Sequence, residues 1–171
     1  MDARRESEPT PMKNRTTVER KADRELVVTR TFNAPARLVF VAWTRPELFR
    51  QWWVPKSMGM SLLSCEMDVH VGGKYRLEFA HGDSKAAFFG TYKEVTPHSR
   101  LVWTNEESDE GSVTTVTFEE KGGKTLLVLH ELYPSKEALD AAGTGAADVM
   151  VETFAQLDEL LVTLVASVAR S

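Results

Sequence analysis

Hydrophobic positions along the chain change period twice, and the changes divide it into elements. Leu26, Val27 and Val28, followed by alternating Thr29, Arg30, Thr31 and Phe32, predict a first strand. Leu38, Val39, Val41, Ala42 and Trp43 then supply the apolar face of a helix, with Asn33 as N-cap and Pro35 just inside its start. Pro46 ends that helix and opens a second short one through Leu48 and Phe49 to Trp52 and Trp53, stopped by Pro55. From 60 to 132 the signals are β, in runs at 60–69, 74–80, 86–95, 100–104, 112–119 and 125–132 separated by turn residues. The pairs Gly72-Gly73 and Gly122-Gly123 tolerate the positive φ angles of tight hairpins, so these six runs read as an antiparallel meander. The period then lengthens. Met150, Phe154, Leu157, Leu161, Leu164 and Val168 recur every three or four residues, opposite a stripe of Asp148, Glu152, Gln156, Glu159 and Thr163, predicting a long amphipathic helix after a loop over 133–145.

The order β-α-α-β6-α is that of an α+β fold. A twisted antiparallel sheet with one apolar face must cover that face, and only the last helix is long and apolar enough to do so. A curved sheet gripping one helix is not close-packed along its whole length, which places the expected site in a cavity between them. Alternation assigns its walls: Tyr75, Leu77 and Phe79 on one strand, Phe88 and Tyr92 on the next, then Leu101 with Trp103, Val116 with Phe118, and Leu127 with Leu129. Met150, Phe154 and Leu157 face them from the helix, and Trp53 stands at the entrance. The plain alternative is that these aromatics are packed core.

Composition and charge narrow the function classes. With 21 Lys plus Arg against 25 Asp plus Glu in 171 residues, the net charge of −4 argues against nucleic-acid binding by bulk electrostatics. Residues 1–24 carry seven basic and five acidic side chains and few large apolar ones, and read as a flexible charged arm before a domain over 25–171. Cys65 is the only cysteine, which excludes an internal disulfide and fits a reducing cytoplasm. The first residues lack the apolar core of a secretory signal, and no run is long enough for membrane insertion.

Candidate chemistry is sparse. Asp68 and His70 share a strand face and could form an acid–base pair, but their phase opposes that of Met67 and Val69, so they read as a solvated ladder. Glu131 is in phase with Leu127 and Leu129 and reads either as a carboxylate facing solvent at the strand end or as one inside the pocket mouth, where burial would raise its pKa. The histidines are not spaced for a metal, Ser57, Ser61 and Ser64 lack a nucleophile elbow, and the glycine pairs precede strands, not phosphate-binding helices. No cofactor, metal or catalytic set is therefore expected. The acidic loop 106–110 reads as solubilising charge, and Leu126 with Val128 make the last strand apolar on its outer face too, a hint of a homodimer.

The run from Arg30 through Asn33-Ala-Pro-Ala-Arg-Leu-Val-Phe, Ala42-Trp-Thr, Pro46-Glu-Leu and Gln51-Trp-Trp-Val-Pro resembles the opening of the Hsp90 ATPase activator homologue family, of the START/Bet v 1-like helix-grip superfamily. The likeness continues through Cys65, Asp68, Gly72-Gly73 with Tyr75 and Arg76, Gly90-Thr-Tyr-Lys-Glu-Val, Arg100-Leu101 and Val116-Thr-Phe. It implies the same fold with a hydrophobic cavity beneath the last helix. It does not imply one function, since relatives include lipid and hormone binders, cyclases and a co-chaperone domain. The chain departs from the family's frequent Gly-Trp pair early in the last helix, having Glu152 and Thr153, and carries His70 where an arginine is common. The leading expectation is non-covalent binding of a small apolar or amphipathic molecule. The alternatives are a co-chaperone-like contact, which would tie the chain to the stress response, and a cyclase or hydrolase using Glu131 and Tyr75.

Overall fold

The computed structural model describes residues 16–59, 61–106 and 111–170. In chain order it contains β1 (Thr17–Ala22), β2 (Glu25–Phe32), α1 (Ala36–Thr44), α2 (Pro46–Trp52), a single 3-10 turn (Lys56–Met58), β3 (Ser61–Met67), β4 (Lys74–His81), β5 (Ser84–Thr96), β6 (Arg100–Thr104), β7 (Val113–Lys121), β8 (Lys124–Leu132) and α3 (Lys136–Arg170). All strands are antiparallel, in the order β1-β2-β8-β7-β6-β5-β4-β3. The α+β helix-grip architecture expected from the pattern is the one observed, with one strand more.

That extra strand corrects the expected arm. Thr17–Ala22 pairs along β2, with Val18 opposite Val28 and Arg20 opposite Leu26. Charged composition does not exclude an edge strand, because one side of its ladder is held by backbone hydrogen bonds and the other faces solvent, where charge protects against further pairing. The rest of the expected arm, residues 1–15, lies outside the described residues.

The helix starts differ as well. Asn33 is not the cap of α1: Pro35 occupies that position, and the Ala36 N–H donates to Glu120 Oε1 of β7 over 2.9 Å. A carboxylate there suits the positive end of the helix dipole. The stretch 133–145 is mostly helix, because α3 begins at Lys136, where Ser135 Oγ accepts the Ala138 N–H. Leu139 anchors this first part in a small cluster with Leu26 and Tyr133.

Curvature is set where β5 changes partners. Its first part pairs with β4 through Lys74↔Thr91, and its second with β6 from Tyr92↔Trp103 onward. Gly90 stands at the handover, where a Cβ would collide with the Thr104 carbonyl and crowd the Tyr75 ring. The sheet can fold over there only because nothing projects from Gly90. At the β7–β8 turn Gly122 and Gly123 have φ of 59° and 80°, the two consecutive positive values of a tight hairpin.

The inward residues are those that alternation assigned. Tyr75, Leu77, Phe79, Tyr92, Leu101, Trp103, Val116, Phe118, Leu127 and Leu129 are buried and join Phe154, Leu157 and Leu161 of α3 in one core. Polar contacts also fix α3, to the sheet through Arg30 and to the end of α2 through Gln156. Arg30 of β2, 9% exposed, meets Asp158 at 3.3 Å, and burial lowers its pKa against the opposing pull of that carboxylate. Gln156, assigned by period to the solvent stripe, is buried instead: its Nε2 donates to the carbonyls of Trp52 and Val54 at 3.0 and 2.9 Å, and its Oε1 accepts the Lys56 N–H at 2.9 Å. The periodicity marks Gln156 as polar but not that the α2 end would cross over it.

Candidate functional site

Between the sheet, α1, α2 and α3 lies a cavity of about 400 Å³. Most of its wall is aromatic. Trp43 of α1 lies 5.9 Å from the Trp53 ring and 6.0 Å from that of Trp103, and Trp53 stacks on Phe49 at 4.7 Å. Tyr75 and Tyr92, 5.8 Å apart, continue this surface across β4 and β5, and Leu77, Phe88, Met67 and Met150 add to the apolar wall. A smaller cavity of about 220 Å³ shares Trp53, Phe88, Val149 and Met150 with it and is bounded by Phe79 and Thr153.

The two tryptophans that end α2 take different roles. Trp52 is fully buried and its indole N–H donates to the Ala42 carbonyl at 3.0 Å, tying α2 to α1. Trp53 faces the cavity. The turn after it is held to α3 by Gln156 and by Glu152, whose carboxylate accepts both the N–H and the hydroxyl of Ser57. Glu152 thereby closes the turn beside the cavity.

Polar groups gather at one end, where β6 leaves the sheet, β7 enters it and β8 ends. Glu131 Oε1 accepts from the Tyr133 hydroxyl at 2.8 Å, and Oε2 from the Thr114 hydroxyl at 2.9 Å. Asn105 Nδ2 donates to Thr114 Oγ1 at 3.0 Å and to Ser112 Oγ at 2.9 Å. Its Oδ1 accepts from Tyr75 and from Trp103 Nε1, at 2.9 and 3.3 Å. One chain of hydrogen bonds therefore runs from Tyr133 through Glu131, Thr114 and Asn105 to Tyr75. Burial raises the Glu131 carboxyl above the usual range, against the opposing hydrogen bonds from Tyr133 and Thr114. Burial likewise raises the Tyr92 hydroxyl, and with the nearby Glu131 charge the Tyr133 hydroxyl, so both phenols keep their protons. Glu131 keeps some accessible surface, and it lies on the cavity wall. Among the described residues the lining holds no lysine, arginine or histidine.

Of the residues assigned from the sequence, Trp53, Tyr75, Leu77, Phe88, Tyr92, Trp103, Glu131 and Met150 line this cavity. Phe79 lines the smaller one. Phe118, Leu129, Phe154 and Leu157 are core residues outside both linings, a correction with a simple cause: the space beside them is filled, Phe118 by Phe40 and Trp43 of α1 and Phe154 by Phe32 of β2. Phe88 is 42% exposed yet faces the cavity, whereas Phe89 takes the outer face under the Arg76 guanidinium. Trp43, Phe49, Met67, Asn105, Ser112, Tyr133 and Val149 were not assigned and belong to the wall. Asp68 and His70 pair at 2.8 Å in the solvent, away from the cavity. His130 points to the opposite sheet face from Glu131 and meets Glu25 at 2.8 Å. The Cys65 thiol is half-buried and pushed up to about 11, which keeps it protonated. Of the acidic loop, residues 107–110 lie outside the described residues; no metal-holding group of side chains occurs among those described, nor is any helix there long and apolar enough to cross a membrane.

An antiparallel sheet curved over one long C-terminal helix, with two short helices inserted near its start, defines the Bet v 1-like helix-grip class. Within that class the chain belongs to the activator of Hsp90 ATPase homolog 1-like protein family, whose model matches residues 33–162. A Rhodobacter sphaeroides protein of known crystal structure is similar over 87% of this chain and 99% of its own, with a TM-score of 0.80 and 24% identity. For a Nitrosomonas europaea protein the coverages are 86% and 99%, at TM-score 0.77 and 24% identity. A Staphylococcus epidermidis protein solved in solution is 27% identical over 86% of this chain and 94% of its own, at TM-score 0.75. No curated protein matches the chain.

Proposed function

We propose that this chain binds a small apolar or amphipathic molecule, without covalent chemistry, in the cavity between the sheet and α3. The observation that carries the reading is the cavity's composition: about 400 Å³ walled by aromatic rings, with one hydrogen-bonded polar cluster at a single end. Small-molecule sites have this form, an apolar body site with few placed polar groups, and volumes of roughly 300–1,000 Å³. A filled core would leave no such volume. In the hydrogen-bond chain Glu131 and Tyr75 are separated by Thr114 and Asn105. A cytoplasmic setting suits the lone, protonated thiol of Cys65.

Thermal and denaturant unfolding in the presence of lipids, aromatic polyketides and hydrophobic dyes tests this. A bound molecule stabilises the folded state by mass action, by about 2.7 kcal/mol at a hundred times its Kd. Stabilisation by at least one class is expected. The absence of any, at concentrations up to solubility, would overturn the reading.

A further inference from the structure

The polar end of the cavity also specifies the head of the molecule, an inference that rests on the cavity-binding reading above. We propose that the site selects a protonated amine on an apolar body, with the ammonium placed against Glu131. Each Glu131 oxygen accepts one hydrogen bond, from Tyr133 or from Thr114. A carboxylate offers about four acceptor positions, so the two partners leave capacity on both oxygens. No cation answers this charge from the lining: its described residues include no lysine, arginine or histidine, and the neighbouring His130 is turned to the other sheet face against Glu25.

An ammonium supplies what is missing, a positive charge and up to three donors. Fold and hydrogen bonds already hold Glu131 in place, so part of its desolvation is met on folding and little of its side chain has to be ordered on binding. A carboxylate or phosphate head would face Glu131 with like charge and no compensating cation. A hydroxyl would gain one hydrogen bond and no charge pairing. The predicted order is therefore amine, then alcohol, then acid.

A matched series tests it: naphthylethylamine, naphthylethanol and naphthylacetic acid, with Kd measured by calorimetry on the full chain and on Glu131→Gln. The amine is expected to bind at least roughly tenfold more tightly than the alcohol, and the acid most weakly. In Glu131→Gln, amine and alcohol should come within about threefold of each other, with alcohol affinity retained. Thr114→Val, which removes the hydrogen bonds to Glu131 and from Asn105 but keeps the charge, should preserve the amine preference. Equal or tighter binding of the alcohol or the acid by the wild type would overturn the proposal whether or not Glu131→Gln folds. So would an amine preference that survives in that variant. If none of the three binds but a neutral hydrophobic dye does, the head-group proposal fails and cavity binding stands; if the dye fails as well, both fall.

Discussion

The Tyr133 hydroxyl donates to Glu131 Oε1 over 2.8 Å, and both side chains stand on the wall of the same cavity. The two residues are one alternation apart at the end of β8, so both face inward, and the Tyr133 N–H continues the ladder by bonding the Arg24 carbonyl at 2.8 Å. This pair, with Thr114 and Asn105, turns one end of an otherwise aromatic cavity into an acceptor site.

The carboxylate has a stability signature. Burial raises the folded-state pKa of Glu131 above its unfolded value of about 4.3. The stabilisation from a raised group is complete below the unfolded pKa and is lost as pH rises through the folded one. Wild type should therefore lose stability relative to Glu131→Gln as pH is raised from about 4 toward 8. Urea midpoints of both proteins across that range check it. A difference that stays flat, or that changes in favour of the wild type, would contradict the burial of this charge.

Gln156 makes a second prediction. Its amide satisfies the Trp52 and Val54 carbonyls and the Lys56 N–H, so Gln156→Ala strands three backbone groups and should cost about 1–3 kcal/mol. Amide hydrogen exchange should quicken in 53–58 while β7 and β8 keep their protection. Uniform quickening throughout the sheet would mean that Gln156 supports the whole fold and not the turn carrying Trp53.

Much of this design is legible in the chain. Tyr75, Leu77 and Phe79, or Leu127, Leu129 and Glu131, alternate cleanly because one sheet face is covered. The polar wall was missed for a specific reason: Asn105, Ser112 and Tyr133 extend the inward phases of Leu101-Trp103, Val116-Phe118 and Leu129-Glu131 beyond the strand ends, where turn composition masks alternation. Following the phases of Trp103 and Glu131 two residues further finds Asn105 and Tyr133, and following that of Val116 backward finds Thr114 and then Ser112. Other features have no local signal. Edge pairing of Thr17–Ala22 depends on backbone hydrogen bonds that its charged side chains do not announce, and the burial of Gln156 depends on a turn a hundred residues away in sequence. Cavity volume is set by how far α3 stands from the sheet, a distance that period does not encode.

The Arg30–Asp158 contact should respond asymmetrically to substitution. Arg30 is 9% exposed and Asp158 27%, so removing the carboxylate leaves a buried guanidinium without its counter-charge, bonded to the Thr16 hydroxyl, whereas removing the guanidinium leaves a carboxylate that reaches water. Breaking a buried pair from one side costs about 3–5 kcal/mol, and the partial exposure of Asp158 moves the expectation for Asp158→Ala to the lower end. Arg30→Met, which keeps an apolar stem, should cost less. Chemical denaturation of the two variants decides, and equal losses would contradict this account of how α3 is fixed.

The central claim, that a small molecule occupies the space between the sheet and α3, is tested most directly by the four tryptophan indoles. Trp43, Trp53 and Trp103 line the cavity, while Trp52 is buried behind them with its N–H bonded to the Ala42 carbonyl. Decylamine and decanol, which carry no rings of their own, can be titrated against the indole N–H resonances in a nitrogen-correlated NMR spectrum. The account predicts saturable shifts for Trp43, Trp53 and Trp103 with the smallest change at Trp52. No saturable shift of the three cavity indoles with either compound would contradict it.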